Sequence, residues 1–195
     1  MPEQDDLFGT QAEPALPTGL RFADGIIDAA EERALVERLA TLTLEPFRFQ
    51  GWLGKRHTAS FGWHYDFDDA RFAQTTPLPD FLGELRRRAA AFAGVDAGAL
   101  VHALVTRYDP GAGIGWHRDR PVFDHVVGVS LQSPATLRLR RRKAAAAGGG
   151  FDRAALPLPP RSVYALDGEA RYEWEHSIAP GEVRRWSVTF RTLAA

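Results

Sequence analysis

Five short runs, Val101 to Tyr108, Val126 to Leu131, Thr136 to Arg140, Ser162 to Leu166 and Arg185 to Thr192, fill the second half of the chain and are parted by Gly- and Pro-containing turns. Runs this short give a helix too few turns to bury a face, whereas a strand needs only a few alternating residues. A series of such strands predicts a double-sheet β structure. The low-complexity stretch from Ala144 to Gly150 interrupts the series and reads as a hairpin tip.

Ahead of residue 100 the period changes. Asp28, followed three residues later by Glu31, forms a capping box, and Leu35, Val36 and Leu39 recur at helical spacing, which predicts a helix over 29–40. A second helix should follow Pro79-Asp80, because Phe81, Leu82, Leu85, Ala89 and Phe92 make one apolar stripe; it stops near Ala93, before Gly94. Arg86, Arg87 and Arg88 read as its solvent face. Between the helices, Phe47 to Trp52 and Ser60 to Tyr65 are aromatic and Gly-punctuated, and are expected to be extended segments and loops. The fold class is therefore α+β, mainly β, with two helices ahead of a β core. Residues 1–17, acidic and without periodicity, read as a flexible tail that docks a residue such as Phe8, and residues 18–195 as one domain.

Composition narrows the chemistry. A net charge of −1 argues against coating nucleic acid or membrane through bulk charge, so any such contact rests on local clusters. The absence of cysteine removes disulfides, zinc fingers, iron–sulfur clusters and thiol nucleophiles, and leaves His, Asp and Glu to hold any metal. The first residues lack a signal peptide, and no apolar stretch approaches a membrane span, so the expectation is a cytoplasmic protein without membrane contact.

His117-Arg118-Asp119 places two ligand types two residues apart, and on extended backbone such residues share a face. With His176 from a later strand they make two histidines and one carboxylate, the facial arrangement of non-haem iron(II) oxygenases. Iron(II) with one carboxylate keeps a net positive charge, ready for an anionic chelator. A triplet of this kind also arises by chance, so a second constellation matters. Arg185, Ser187, Thr189 and Arg191 alternate with Trp186, Val188 and Phe190, which backs a polar, doubly basic face onto an apolar one. That polar face meets either solvent or a cavity. In a cavity, arginine suits carboxylate recognition. Six strand residues span about 20 Å, so the two arginines would flank a molecule with two ends.

These segments resemble the AlkB-like branch of the Fe(II)/2-oxoglutarate dioxygenases. The likeness runs from Arg107-Tyr108-Asp109-Pro110-Gly111 through His117-Arg118-Asp119, Ser130-Leu131 and Gly168 to His176, and ends on Arg185 to Arg191. It implies a double-stranded β-helix (jelly-roll) core on which the two N-terminal helices pack. It implies Fe(II) held by His117, Asp119 and His176, with 2-oxoglutarate as cosubstrate and O2 as oxidant. Arg185 then pairs with the far carboxylate and Arg191 lies nearer the chelating end. Tyr108, Ser187 and Thr189 line the cosubstrate pocket, with Leu104 and Ile114 as apolar neighbours. Thr106 departs from the pattern, since many members carry Asn there.

The resemblance further implies oxidative dealkylation of alkylated DNA or RNA bases, flipped or single-stranded, by a monomer. Trp52, Phe61, Trp63, His64 and Tyr65 fall where that family keeps its substrate lid, and each could equally be a packing residue. Arg138, Arg140 and Arg142 share a strand face, with Arg141 and Lys143 adjacent, in a basic stripe that would grip phosphates or serve as a charged edge. His57, His102 and His125 read as packing or surface residues, and Glu175 as a partner of His176 or a solvent-facing residue. Three further readings stand beside this one: the same oxygenase chemistry on a protein or small molecule, a zinc-dependent hydrolase, and a metal-stabilised binding module.

Overall fold

The computed structural model describes residues 16–49, 52–65, 72–74, 76–144 and 148–194. Phe8 with nearly all of the expected tail, and the centre of the Ala144–Gly150 tip, lie outside the described residues. In chain order the elements are β1 (Leu20–Ala23), α1 (Ala29–Ala40), β2 (Glu45–Phe49), β3 (Trp52–Tyr65), β4 (Phe72–Gln74), α2 (Gly83–Ala93), β5 (His102–Tyr108), β6 (Ile114–His117), β7 (Phe123–Leu131), β8 (Ala135–Arg142), β9 (Phe151–Leu158), β10 (Val163–Leu166), α3 (Gly168–Tyr172), β11 (Glu175–Ile178) and β12 (Arg185–Leu193). The large sheet runs β1-β10-β7-β12-β5-β3-β2, with β4 added to β3, and the small sheet runs β6-β11-β8-β9. Both are antiparallel, and the small sheet faces the large one in a jelly roll.

Both predicted helices form where their caps dictate. Asp28 accepts from the Ala30 and Glu31 N–H groups at 2.7 and 2.8 Å, while Glu31 takes the Asp28 N–H at 2.8 Å. A short 3-10 turn over Asp80–Leu82 leads into α2, which ends at Gly94 with φ +68°. The solvent-face expectation for the three arginines needs one correction. Arg88 reaches back to Glu31 at 2.7 Å and to the Ile26 carbonyl at 3.0 Å, and so ties α2 to the start of α1.

The helices cover the outer face of the large sheet. Leu39, Leu82, Leu85, Ala89 and Ala93 meet Val105, Val127, Val129, Val188 and Phe190 there in one apolar cluster. Phe190 is 0% exposed, and truncating such a residue to alanine costs about 3–5 kcal/mol. A second cluster fills the space between the sheets, with Val126, Tyr164 and Leu166 from the large sheet against Leu137, Leu139 and Ile178 from the small one.

β12 lies between β5 and β7, so both of its edges are hydrogen-bonded. Its apolar face enters the helix-side core. Its polar face turns toward the small sheet, with Arg185, Ser187, Thr189 and Arg191 at 4%, 6%, 9% and 8% exposure. The solvent alternative for this face is thereby removed: it lines the interior between the sheets. The sequence-based reading missed β9, where Pro157 breaks the strand signal; β9 is the edge of its sheet, the place a strand proline is tolerated.

Candidate metal centre and anion pocket

One end of the inter-sheet space is built by β6, β11 and the turn after β6. Ile114 pairs with Ile178 and His117 with His176, so three steps on β6 match two on β11. This bulge re-aims the strand and sets His117 directly across from His176, with ring centroids 4.3 Å apart. The Gly115 carbonyl stands 2.9 Å from His117 Nδ1. A carbonyl only accepts, so Nδ1 carries the proton and Nε2 keeps its lone pair.

Asp119 follows two residues on, with its side chain 7% exposed. Its Oδ1 accepts from Arg191 Nε and Nη2 at 2.8 and 2.6 Å, while Oδ2 is buried, lacks a hydrogen-bond partner and lies 3.6 Å from His176 Nε2. Burial works to raise this carboxyl, but the Arg191 charge beside it outweighs burial and holds the group ionised. Burial pushes His176 down to about 3, helped by His117, and pushes His117 down as well. Two neutral imidazoles and one carboxylate with a free oxygen suit iron(II). Among the described residues no three such side chains already converge at ligand distance. Asp119 leans on Arg191, so Oδ2 is the oxygen left to meet an ion.

The surroundings of this end show two residues whose roles sequence reasoning missed. Arg191 Nη1 donates to His102 Nδ1 at 3.2 Å, which makes His102 Nε2 the donor to Ser60 Oγ at 2.9 Å. His102, expected to be a packing or surface residue, thus positions Arg191. Arg171, 3% exposed, donates to the carbonyls of Arg120, Phe123 and Asp124 at 2.5, 2.6 and 3.0 Å and pins the segment that follows Asp119.

The other end is different. Arg185 Nε and Nη2 both donate to Ser130 Oγ, at 3.2 and 3.1 Å, while Nη1 is buried and unpaired. No carboxylate among the described residues pairs with it. A buried guanidinium without a counter-charge is costly, so this end suits an incoming anion. Tyr108 stands opposite Arg185 on β5, its ring 5.1 Å from the guanidinium carbon. Thr106 and Leu104 follow opposite Ser187 and Thr189, and a cavity of about 370 Å³ opens beside Arg185, Tyr108 and Ile178. Ile114 packs against the inter-sheet core.

Among the described side chains of the expected substrate set, Arg138 borders the cavity beside Arg185. Phe61 packs into the helix-side core, not the pocket. Trp63 is half-buried, its N–H donating to the Val101 carbonyl at 3.3 Å; the side chains of Trp52, His64 and Tyr65 lie outside the described residues. Arg138 and Arg140 point away from Leu137 and Leu139, off the outer face of the small sheet, where both stack on Trp116 at 5.2 and 4.5 Å. Arg140 also pairs with Glu175 at 2.6 Å. Arg141 is held by Glu169, Glu173 and Asp152. Within the expected stripe Arg140 and Arg141 are thus ion-paired, whereas Arg138 donates to the neutral Ser177 hydroxyl at 3.1 Å. Arg56 on β3 is a further cation near the site: its guanidinium lies 3.7 Å from the Phe47 ring centroid and within electrostatic reach of Tyr108 and His117. Its signal was hidden in a stretch without periodicity.

Fold and site together define the non-haem iron dioxygenase class. A model of the 2OG-Fe(II) oxygenase superfamily matches residues 19–191, and the chain belongs to that family. Iron(II), 2-oxoglutarate and O2 are accordingly its cofactor and cosubstrates. Its relatives are AlkB-like. The chain is 28% identical over 173 residues to the Mus musculus tRNA (carboxymethyluridine(34)-5-O)-methyltransferase ALKBH8, covering 85% of this chain and 25% of that protein. It is 26% identical over 182 residues to the Arabidopsis thaliana alkylated DNA repair protein ALKBH8 homolog, covering 82% and 50%. With the Homo sapiens alpha-ketoglutarate-dependent dioxygenase alkB homolog 4 it shares 30% over 148 residues, covering 60% and 49%. The chain thus spans a quarter to a half of the length of these relatives. The solved structure of OsALKBH1 shares the fold, with a TM-score of 0.68 at 13% identity over 91% of this chain and 98% of that one. Among the described residues no helix is long and apolar enough to cross a membrane.

Proposed function

We propose that the chain oxidatively dealkylates alkylated nucleic-acid bases, with iron(II) held by His117 Nε2, Asp119 Oδ2 and His176, and 2-oxoglutarate held by Arg185. The observation that carries the cosubstrate assignment is the unpaired, buried Nη1 of Arg185 on the same strand face as Arg191 and its partner Asp119. When bound, iron with 2-oxoglutarate and O2 supplies the oxidising power that turns a substrate C–H into C–OH, releasing succinate and CO2. Arg185 anchors the far carboxylate. Arg191 keeps Asp119 ionised and its Oδ1 occupied, leaving one oxygen for the ion. Tyr108, Ser187, Thr189, Leu104 and Ile114 shape the pocket and keep water out.

An N-methyl carbon hydroxylated in this way becomes a hemiaminal, which collapses to the free amine and formaldehyde. Support for a nucleic-acid base comes from the names of the Arabidopsis and mouse relatives, one a repair protein for alkylated DNA and one a tRNA-modifying enzyme. Arg56, which has no ion pair among the described residues, adds a group able to meet a phosphate. Arg185 counts against a zinc hydrolase, which has no use for a buried carboxylate anchor. The test offers N-methylated single-stranded DNA and RNA oligonucleotides to the iron-loaded protein and measures formaldehyde. Formaldehyde above the oligonucleotide-free rate is expected. Succinate without formaldehyde on every oligonucleotide would move the substrate to a protein side chain or small molecule.

A further inference from the structure

Tyr164 sits in a short apolar strand with nothing in the sequence to set it apart from core. Its ring lies on the inner face of the large sheet, 8% exposed, among the residues between the sheets. It crosses Gly128, which stands opposite both Tyr164 on β10 and Thr189 on β12. A Cβ on Gly128 would fall 2.3 Å from Tyr164 Cζ and 2.5 Å from its hydroxyl oxygen, so only glycine lets the phenol reach over β7 toward the pocket. Among the described residues this hydroxyl makes no hydrogen bond. Its electrostatic neighbours are Tyr108 and Arg185 at the anion end, and Asp119 and Arg191 at the metal end. Burial pushes the phenol well above its usual range, so it stays a neutral O–H, able to donate.

Among the described residues Arg185 Nη1 and the Tyr164 hydroxyl, both on one inner face, are donors without acceptors, as is the Tyr108 hydroxyl beside Arg185. These would be left unsatisfied by an apolar guest and are satisfied by a carboxylate. We infer that the Tyr164 hydroxyl donates a hydrogen bond to the far carboxylate of the acid held by Arg185, and so selects dicarboxylic over monocarboxylic 2-oxo acids. This rests on the cosubstrate reading above. The role is one of binding and specificity, separate from the metal.

The test is calorimetric titration of the Mn(II)-loaded protein without oxygen, using 2-oxoglutarate and 2-oxopentanoate, which keeps the chelating end and lacks the far carboxylate. Tyr164→Phe removes one oxygen and keeps the ring over Gly128. The expected result is about tenfold weaker 2-oxoglutarate binding, as for a lost hydrogen bond to a charged group, with Mn(II) and 2-oxopentanoate bound as by wild type. Unchanged 2-oxoglutarate affinity overturns the inference and leaves the Arg185 assignment standing. Parallel losses for Mn(II) and both acids also overturn it, by making Tyr164 a packing residue. Wild type that fails to bind 2-oxoglutarate overturns the parent reading itself.

Discussion

Arg185 and Arg191 lie on one face of one strand and are equally buried, yet they live in opposite electrostatic states. Arg191 is fully engaged, with two nitrogens on Asp119 and the third on His102. Arg185 has only a neutral serine hydroxyl and keeps a nitrogen free. A charge paired inside the fold belongs to the architecture. A charge buried without a partner stores a cost that a bound anion relieves, and the difference marks which end of the cavity receives the cosubstrate.

The largest effect that could break this contrast is on stability. Arg191→Met leaves the Asp119 carboxylate buried without its counter-charge, and the metal-free protein should lose about 3 kcal/mol in urea denaturation. A loss below about 1 kcal/mol would mean that Arg191 is no more structural than Arg185. The pH response comes next. His176 titrates at about 3 in the fold against 6.5 ordinarily, so below pH 6.5 the unfolded chain takes up a proton that the folded one refuses. Stability is then fully present above 6.5 and falls as pH drops toward 3; between pH 7.5 and 5.5 the metal-free protein should lose about 1 kcal/mol from this group alone, with His117 adding in the same direction. A flat profile would place the imidazoles in contact with solvent. The smallest effect has the opposite sign. Arg185→Met removes the unpaired charge and keeps the volume, so the ligand-free protein should gain about 1 kcal/mol with an unchanged pH slope, while binding of 2-oxoglutarate is lost.

Much of this contrast could be read before the structure. The alternation of β12 told which side chains share a face, and the short spacing of His117 and Asp119 put both on one strand end. Capping chemistry located the start of α1, from Asp28 and Glu31. What stayed hidden has common causes. Alternation says that Arg185 to Arg191 face one way without saying what they face; only the register with β5 and β7 puts them indoors. His102 carries no local signal, because its partner Arg191 is far away in sequence. Tyr164 sits in an apolar run covered on both faces, where a pocket residue and a core residue look alike. The basic stripe shows the converse: Glu175 pairs with Arg140 and Glu169 and Glu173 with Arg141 across the sheet, and sequence distance concealed these pairings.

The central claim is that one inner face binds metal at one end and the far carboxylate at the other. Its most direct test is succinate formation from 2-oxoglutarate when the anaerobically iron-loaded protein is exposed to air, with His117→Ala and Arg185→Ala beside wild type and iron content measured in each. Wild type should form succinate; His117→Ala should lose both iron and turnover, and Arg185→Ala should keep iron but fall at least 100-fold in turnover per KM, about 3 kcal/mol. Succinate formed by Arg185→Ala at the wild-type KM would contradict the account, because the buried arginine would then hold nothing.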